Sequence, residues 1–140
     1  MHENENIRKV PSSCAIRISL KEHTLHIHKS AIAILNRPKY IQLLINKKTN
    51  ILFLKGCEVK EKNTFAVPKK LFLHSRNHYE MQNRTFTDAI QLQLCWEPGG
   101  VYRLTGELLP DLQVIAFDLN KCQRLNKDIS ISEQANLPDF

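Results

Sequence analysis

Glycine is scarce in this chain, with four in 140 residues. Gly56, Gly99, Gly100 and Gly106 stand at no spacing that could cradle a phosphate, and Gly99-Gly100 follows Pro98 as a turn signal. Aromatic residues are also few, at 7%, and do not interleave with the basic ones, which argues against stacking on single-stranded nucleic acid. No apolar run approaches the ~20 residues that cross a membrane. The polar, acid-bearing start MHENENIRKVPSS does not read as a signal peptide, so a cytoplasmic protein is expected. The cysteines, Cys14, Cys57, Cys95 and Cys122, are widely spaced with no CxxC among them. They are read as buried free thiols in a reducing compartment rather than as a disulfide framework. There is no G-x-S-x-G elbow, no cysteine in a catalytic motif and no pair of acids at an identifiable cleft, so no enzyme and no cofactor are expected.

What the chain does have is a core and a lopsided charge. Apolar residues make up 42%, enough for one compact domain. Residues 1–70 hold 14 Lys/Arg against 5 Asp/Glu, whereas residues 71–140 hold 6 against 9. A basic half attracts phosphate backbones through counterion release. The bland alternative is a solvated lysine surface, and most of the charge is Lys, whereas Arg is the better base reader.

Hydrophobic periodicity supplies the elements. Residues 1–12 read as a flexible arm, 13–125 as a single compact domain and 126–140 as a polar tail that could pair with another chain. Cys14, Ile16, Ile18 and Leu20 alternate with polar or small residues, as do Leu25 and Ile27 with His26 and His28. Two strands joined by a Lys21-Glu22-His23 turn are predicted. Ser30 is the expected cap of a short helix ending near Asn36-Arg37-Pro38. Tyr40–Ile45 and Ile51–Leu54 are strands around a polar turn, the second ended by Lys55-Gly56. After another turn at Glu61-Lys62-Asn63, Thr64–Val67 is a short strand. Leu71–His74 and Tyr79–Met81 are read as a hairpin turning near Arg76-Asn77. In residues 85–96, Ile90, Leu92, Leu94 and Trp96 alternate as in a strand while Phe86, Ala89, Ile90 and Leu94 fit one helix face; helix is preferred, with Thr85-Phe86-Thr87-Asp88 resembling a capping box and Pro98-Gly99-Gly100 as a stop. Val101–Leu109 and Leu112–Leu119 form a hairpin around Pro110-Asp111.

The two halves, 13–60 and 64–120, share an order of elements. Each helix is followed by a proline (Pro38 or Pro98) and then by a tyrosine (Tyr40 or Tyr102) that starts a hairpin. The expected architecture is therefore α+β, strand-rich, with two similar ββαββ halves around a shared core. One unit of ~50 residues has too little core to stand alone. Convergence on a common order of elements would leave the same trace as duplication.

Residues 16–54 run strand, turn, strand ending in Ile27-His28-Lys29, short helix ending in Leu35-Asn36, then a hairpin. This layout resembles the AbrB-type swapped-hairpin DNA-binding proteins, with Ile27-His28-Lys29 where that family has Ile-Pro-Lys and Leu35-Asn36 where it has Leu-Gly. His23-Thr24 stands in place of its Gly-Arg turn. The likeness covers about forty residues and implies the fold of those proteins more than their function. With Trp96-Glu97-Pro98, Tyr102-Arg103-Leu104-Thr105-Gly106 and Phe117-Asp118-Leu119, the whole chain looks more like a small bacterial family without an assigned activity.

Two functional constellations remain. His26 and His28, two apart on a strand, share a face, and His74 and His78 lie four apart; neutral imidazole suits zinc, copper or nickel. No cysteine or carboxylate stands at a supporting spacing, and with Leu25 and Ile27 on the opposite face His26 and His28 are read as the solvent side of an amphipathic strand, with no metal expected. The basic residues carry the leading expectation, a DNA-binding or regulatory protein. Arg17, Lys21 and Lys29 would lie on the polar face of the first hairpin, and Lys47, Lys48, Lys69 and Lys70 would add phosphate contacts to duplex DNA. The alternative is a non-enzymatic protein-interaction module, as a homodimer or with another protein, pairing through a sheet edge.

Overall fold

Alternation of apolar and polar residues places β1 (Ala15–Ser19) and β2 (Thr24–His28) back to back as an antiparallel hairpin in which Ile16 faces Ile27 and Ile18 faces Leu25. The structure, a computed structural model, describes residues 14–73 and 78–125. His23 takes the left-handed conformation that closes this first turn. The expected arm and tail lie outside the described residues, as do His74 and the turn at Arg76-Asn77.

The order continues with α1 (Lys29–Ile34), β3 (Tyr40–Asn46), β4 (Ile51–Cys57), β5 (Thr64–Ala66), β6 (His78–Gln82) and α2 (Arg84–Leu94). It ends with β7 (Val101–Thr105), β8 (Glu107–Leu109), β9 (Val114–Asp118) and β10 (Gln123–Arg124). The strands form two antiparallel five-stranded sheets, ordered β10-β7-β1-β2-β6 and β5-β3-β4-β9-β8. The fold is thus α+β and mostly β, and both sheets feed one core. Ile16, Ile18, Leu25 and Ile27 of the first sheet and Ile41, Leu52, Leu54, Ile115 and Phe117 of the second are buried in a single cluster. Removing a side chain as large as Phe117 from such a core costs about 3–5 kcal/mol.

Several local expectations change. The first helix is capped by His28, whose side chain accepts from the Ser30 amide, and Ser30 itself lies inside the first turn. The second helix is capped by Asn83, which accepts from the Phe86 amide at 3.0 Å. A cap of this kind is worth about 1 kcal/mol. Asp88, expected to close a capping box, instead pairs with Arg84 one turn back at 3.5 Å. That helix stops at Cys95, which adopts a left-handed conformation and is exposed. All four cysteines are free, but only Cys14 is fully buried.

Lys55-Gly56 does not end β4, which runs on to Cys57. A Cβ at Gly56 would meet the Pro38 ring at 3.0 Å, so the glycine lets the strand pass beneath that ring. Leu71 falls in a 3-10 turn (Lys69–Phe72), and Tyr79–Met81 pair with β2 rather than with that segment. The strand expected over 101–109 is interrupted at Gly106. Its first part pairs with β1 and its second with β9, so one stretch of chain passes from sheet to sheet. The second half also has no hairpin ahead of its helix, because β5 joins β3 and β6 joins β2.

A polar sheet face as the candidate functional site

Directly opposed residues on neighbouring strands share a face, so the registers of the first sheet determine which side chains meet. Arg17 on β1 faces Arg103 on β7 and His26 on β2, and His26 faces Glu80 on β6. One row across four strands therefore reads Arg103, Arg17, His26, Glu80. Beside it His28 faces His78. The opposite face of these strands carries the core residues Ile16, Ile18, Leu25, Ile27, Tyr79, Met81, Tyr102 and Leu104.

The row is tightly connected. The Arg17 guanidinium donates to His26 Nδ1. A neutral His26 then keeps its proton on Nε2, which lies 3.6 Å from a Glu80 carboxylate oxygen. The His78 ring stacks on that of His26 with centroids 4.8 Å apart and 27° between planes. Its Nε2 is 4.0 Å from the other Glu80 oxygen. Burial pulls the His26 pKa below its usual value, and the neighbouring Arg17 charge adds to this against the opposing pull of Glu80. His28 is also lowered, first by burial and then by His78, while its Nδ1 accepts from the Ser30 amide at 3.1 Å.

Against the middle of the row, towards the Lys21 turn, lies a cleft of about 340 Å³ lined by Arg17, Ser19, Lys21, Glu22, His26 and Val101. Of the seven basic residues singled out from the sequence, Arg17 and Lys21 line it. Lys29 opens α1 at the opposite end of β2, a strand whose five residues span roughly 17 Å. Lys47 and Lys48 occupy the β3–β4 turn in the second sheet, where Gln93 of α2 donates to the Lys47 carbonyl at 2.9 Å. Lys69 and Lys70 begin the 3-10 turn, and Lys69 borders a separate, mainly apolar cleft of about 540 Å³.

Arg103 and Glu80 escape a reading by sequence proximity, and His78, read beside His74, meets His26 and His28 across strands. Their signal is period two, since His78, Glu80 and Gln82 alternate with Tyr79 and Met81, but the partner strand is fifty residues away. His26 and His28 do share a face, as their spacing implies, and the carboxylate that no sequence neighbour supplies comes from β6. No helix of the described residues is long and apolar enough to cross a membrane. No protein-family model, curated protein or solved structure matches the chain.

Proposed function

We propose that the protein is a non-enzymatic nucleic-acid-binding protein that meets the phosphates of duplex DNA with the polar face of its first sheet, through Arg17, Lys21 and Arg103. The observation that carries this reading is the registered pair Arg17–Arg103 beside the cleft that Lys21 also lines. Two guanidinium groups on registered neighbouring strands concentrate positive charge where a phosphate can meet both. The first hairpin is flanked on both sides by β7 and β6, so it is not a free ribbon that could slide into a groove alone. The backbone would instead lie against the exposed part of the face and the Lys21 turn. Lys29, Lys47, Lys48, Lys69 and Lys70 add long-range attraction to the same polyanion.

Fluorescence anisotropy with a labelled duplex at two salt concentrations tests this. Binding should weaken steeply with salt, and K21E/R103E should weaken it about tenfold or more and flatten the salt dependence. K47E/K48E should cost less. Binding that is indifferent to salt and to K21E/R103E overturns the assignment.

A second reading, a protein-interaction module, is favoured by the 540 Å³ cleft, whose apolar wall includes Pro38, Tyr40, Val67, Phe72 and Leu73 and whose rim carries Arg37, Lys39 and Lys69. It predicts self-association or partner binding that survives high salt; a strict monomer by sedimentation at high micromolar concentration counts against the homodimeric form. In either reading the two halves are taken as related units sharing one core, supported by the strands that follow each helix, β3-β4 after α1 and β7-β8-β9 after α2, although only the first half has a hairpin ahead of its helix.

A further inference from the structure

We propose that His26, His78 and Glu80 form a binding site for a divalent transition metal of the zinc or nickel class on the outer face of the first sheet. The ligand atoms of these three residues all lie within 4.8 Å of one another. In a tetrahedral zinc site, ligand atoms at bond lengths of ~2.0–2.2 Å sit about 3.4 Å apart. Glu80 stands 3.6 Å from His26 Nε2 through one oxygen and 4.0 Å from His78 Nε2 through the other, so within the 4.8 Å set the donors close by up to about 1.4 Å to reach that spacing. Two imidazoles and a carboxylate are a donor set for zinc or nickel, and three protein ligands leave a position open to water.

The backbone places these donors without help from loops. His26 and Glu80 are registered partners on β2 and β6, and His28–His78 is the next pair on the same face. His26 Nε2 is buried and makes no hydrogen bond within 3.5 Å among the described residues, its nearest charged neighbour being the Glu80 carboxylate at 3.6 Å, and a metal would join the two. The stacked rings point their nitrogens side by side, so His78 has to turn for both lone pairs to converge. It is free to do so, with 44% of its side chain exposed.

One neighbour opposes the ion. Arg17 donates to His26 Nδ1, which keeps the His26 proton on the nitrogen that the metal needs. Binding therefore moves that proton from Nε2 to Nδ1 and makes Arg17 withdraw, with no net proton released. Arg17 acts as a competitor for His26, both through the tautomer and through its charge. The site shares Arg17 with the nucleic-acid reading, but its ligands His78 and Glu80 are assigned no phosphate, so variants at those two residues test the metal alone.

The test is isothermal titration of the full, tag-free chain with zinc and with nickel chloride, with cobalt(II) visible absorption as a second readout. One ion per chain should bind in the micromolar range. H78A and E80Q, both at exposed side chains where refolding is not at stake, should each weaken binding about tenfold or more, and R17M should tighten it. Absence of saturable binding below millimolar metal overturns the site. So does binding that H78A and E80Q leave unchanged, or an R17M variant that binds more weakly than the parent.

Discussion

Cys14 shows how one buried atom ties stability to pH. Its side chain has no exposure to solvent, and burial pushes its thiol from 9.0 up to about 11. The folded chain therefore holds that proton over a range in which the unfolded chain has lost it. Stability should fall as pH rises from about 9 towards 11, because unfolding then releases a proton that the solvent readily takes. Urea unfolding midpoints at several alkaline pH values check this, and C14A should show a shallower decline. Cys122 and Tyr79, also raised by burial, act in the same direction and set the residual slope. Exposed Cys95 should meanwhile react with a thiol reagent in the native state, and Cys14 only on unfolding. Composition and spacing made free thiols legible; which of them is buried was not, because Cys95 lies at a left-handed helix end that turns its side chain to solvent.

At the scale of elements, Gly106 marks where one strand becomes two. A Cβ there would collide with the side chains of Ile115 and Phe117, both fully buried. G106A should therefore cost about 1–3 kcal/mol through overpacking, read as a lower denaturation midpoint with an unchanged slope. The periodicity of residues 101–109 predicts a strand correctly but cannot show the break, since alternation on either side of the glycine looks continuous. The same limit explains β6. Its alternation is short, and its true partner β2 is remote in sequence, so proximity suggests a hairpin with Leu71–His74 instead. The first hairpin, the β3–β4 hairpin and the β8–β9 hairpin were legible because their partners are adjacent in the chain. The candidate site was half legible for the same reason: Arg17, Lys21, His26 and His28 sit on one local hairpin, while Arg103, His78 and Glu80 arrive through long-range register.

Across the whole molecule, both sheets are woven from both halves. The first takes β1 and β2 from the N-terminal side and β6, β7 and β10 from the C-terminal side. The second combines β3 and β4 with β5, β8 and β9. A nick in the polar segment between β4 and β5 would leave two pieces, each holding strands whose partners are on the other. Neither piece should fold alone, since each would expose open edges and half of the shared core. Mixed in equal amounts, they should reassemble into a species with the circular dichroism of the intact chain. A fragment of residues 1–60 that folds by itself would mean that the interleaving is dispensable. If reassembly occurs, the covalent link between the halves serves mainly to raise their local concentration, and the protein is, in effect, a heterodimer written as one chain.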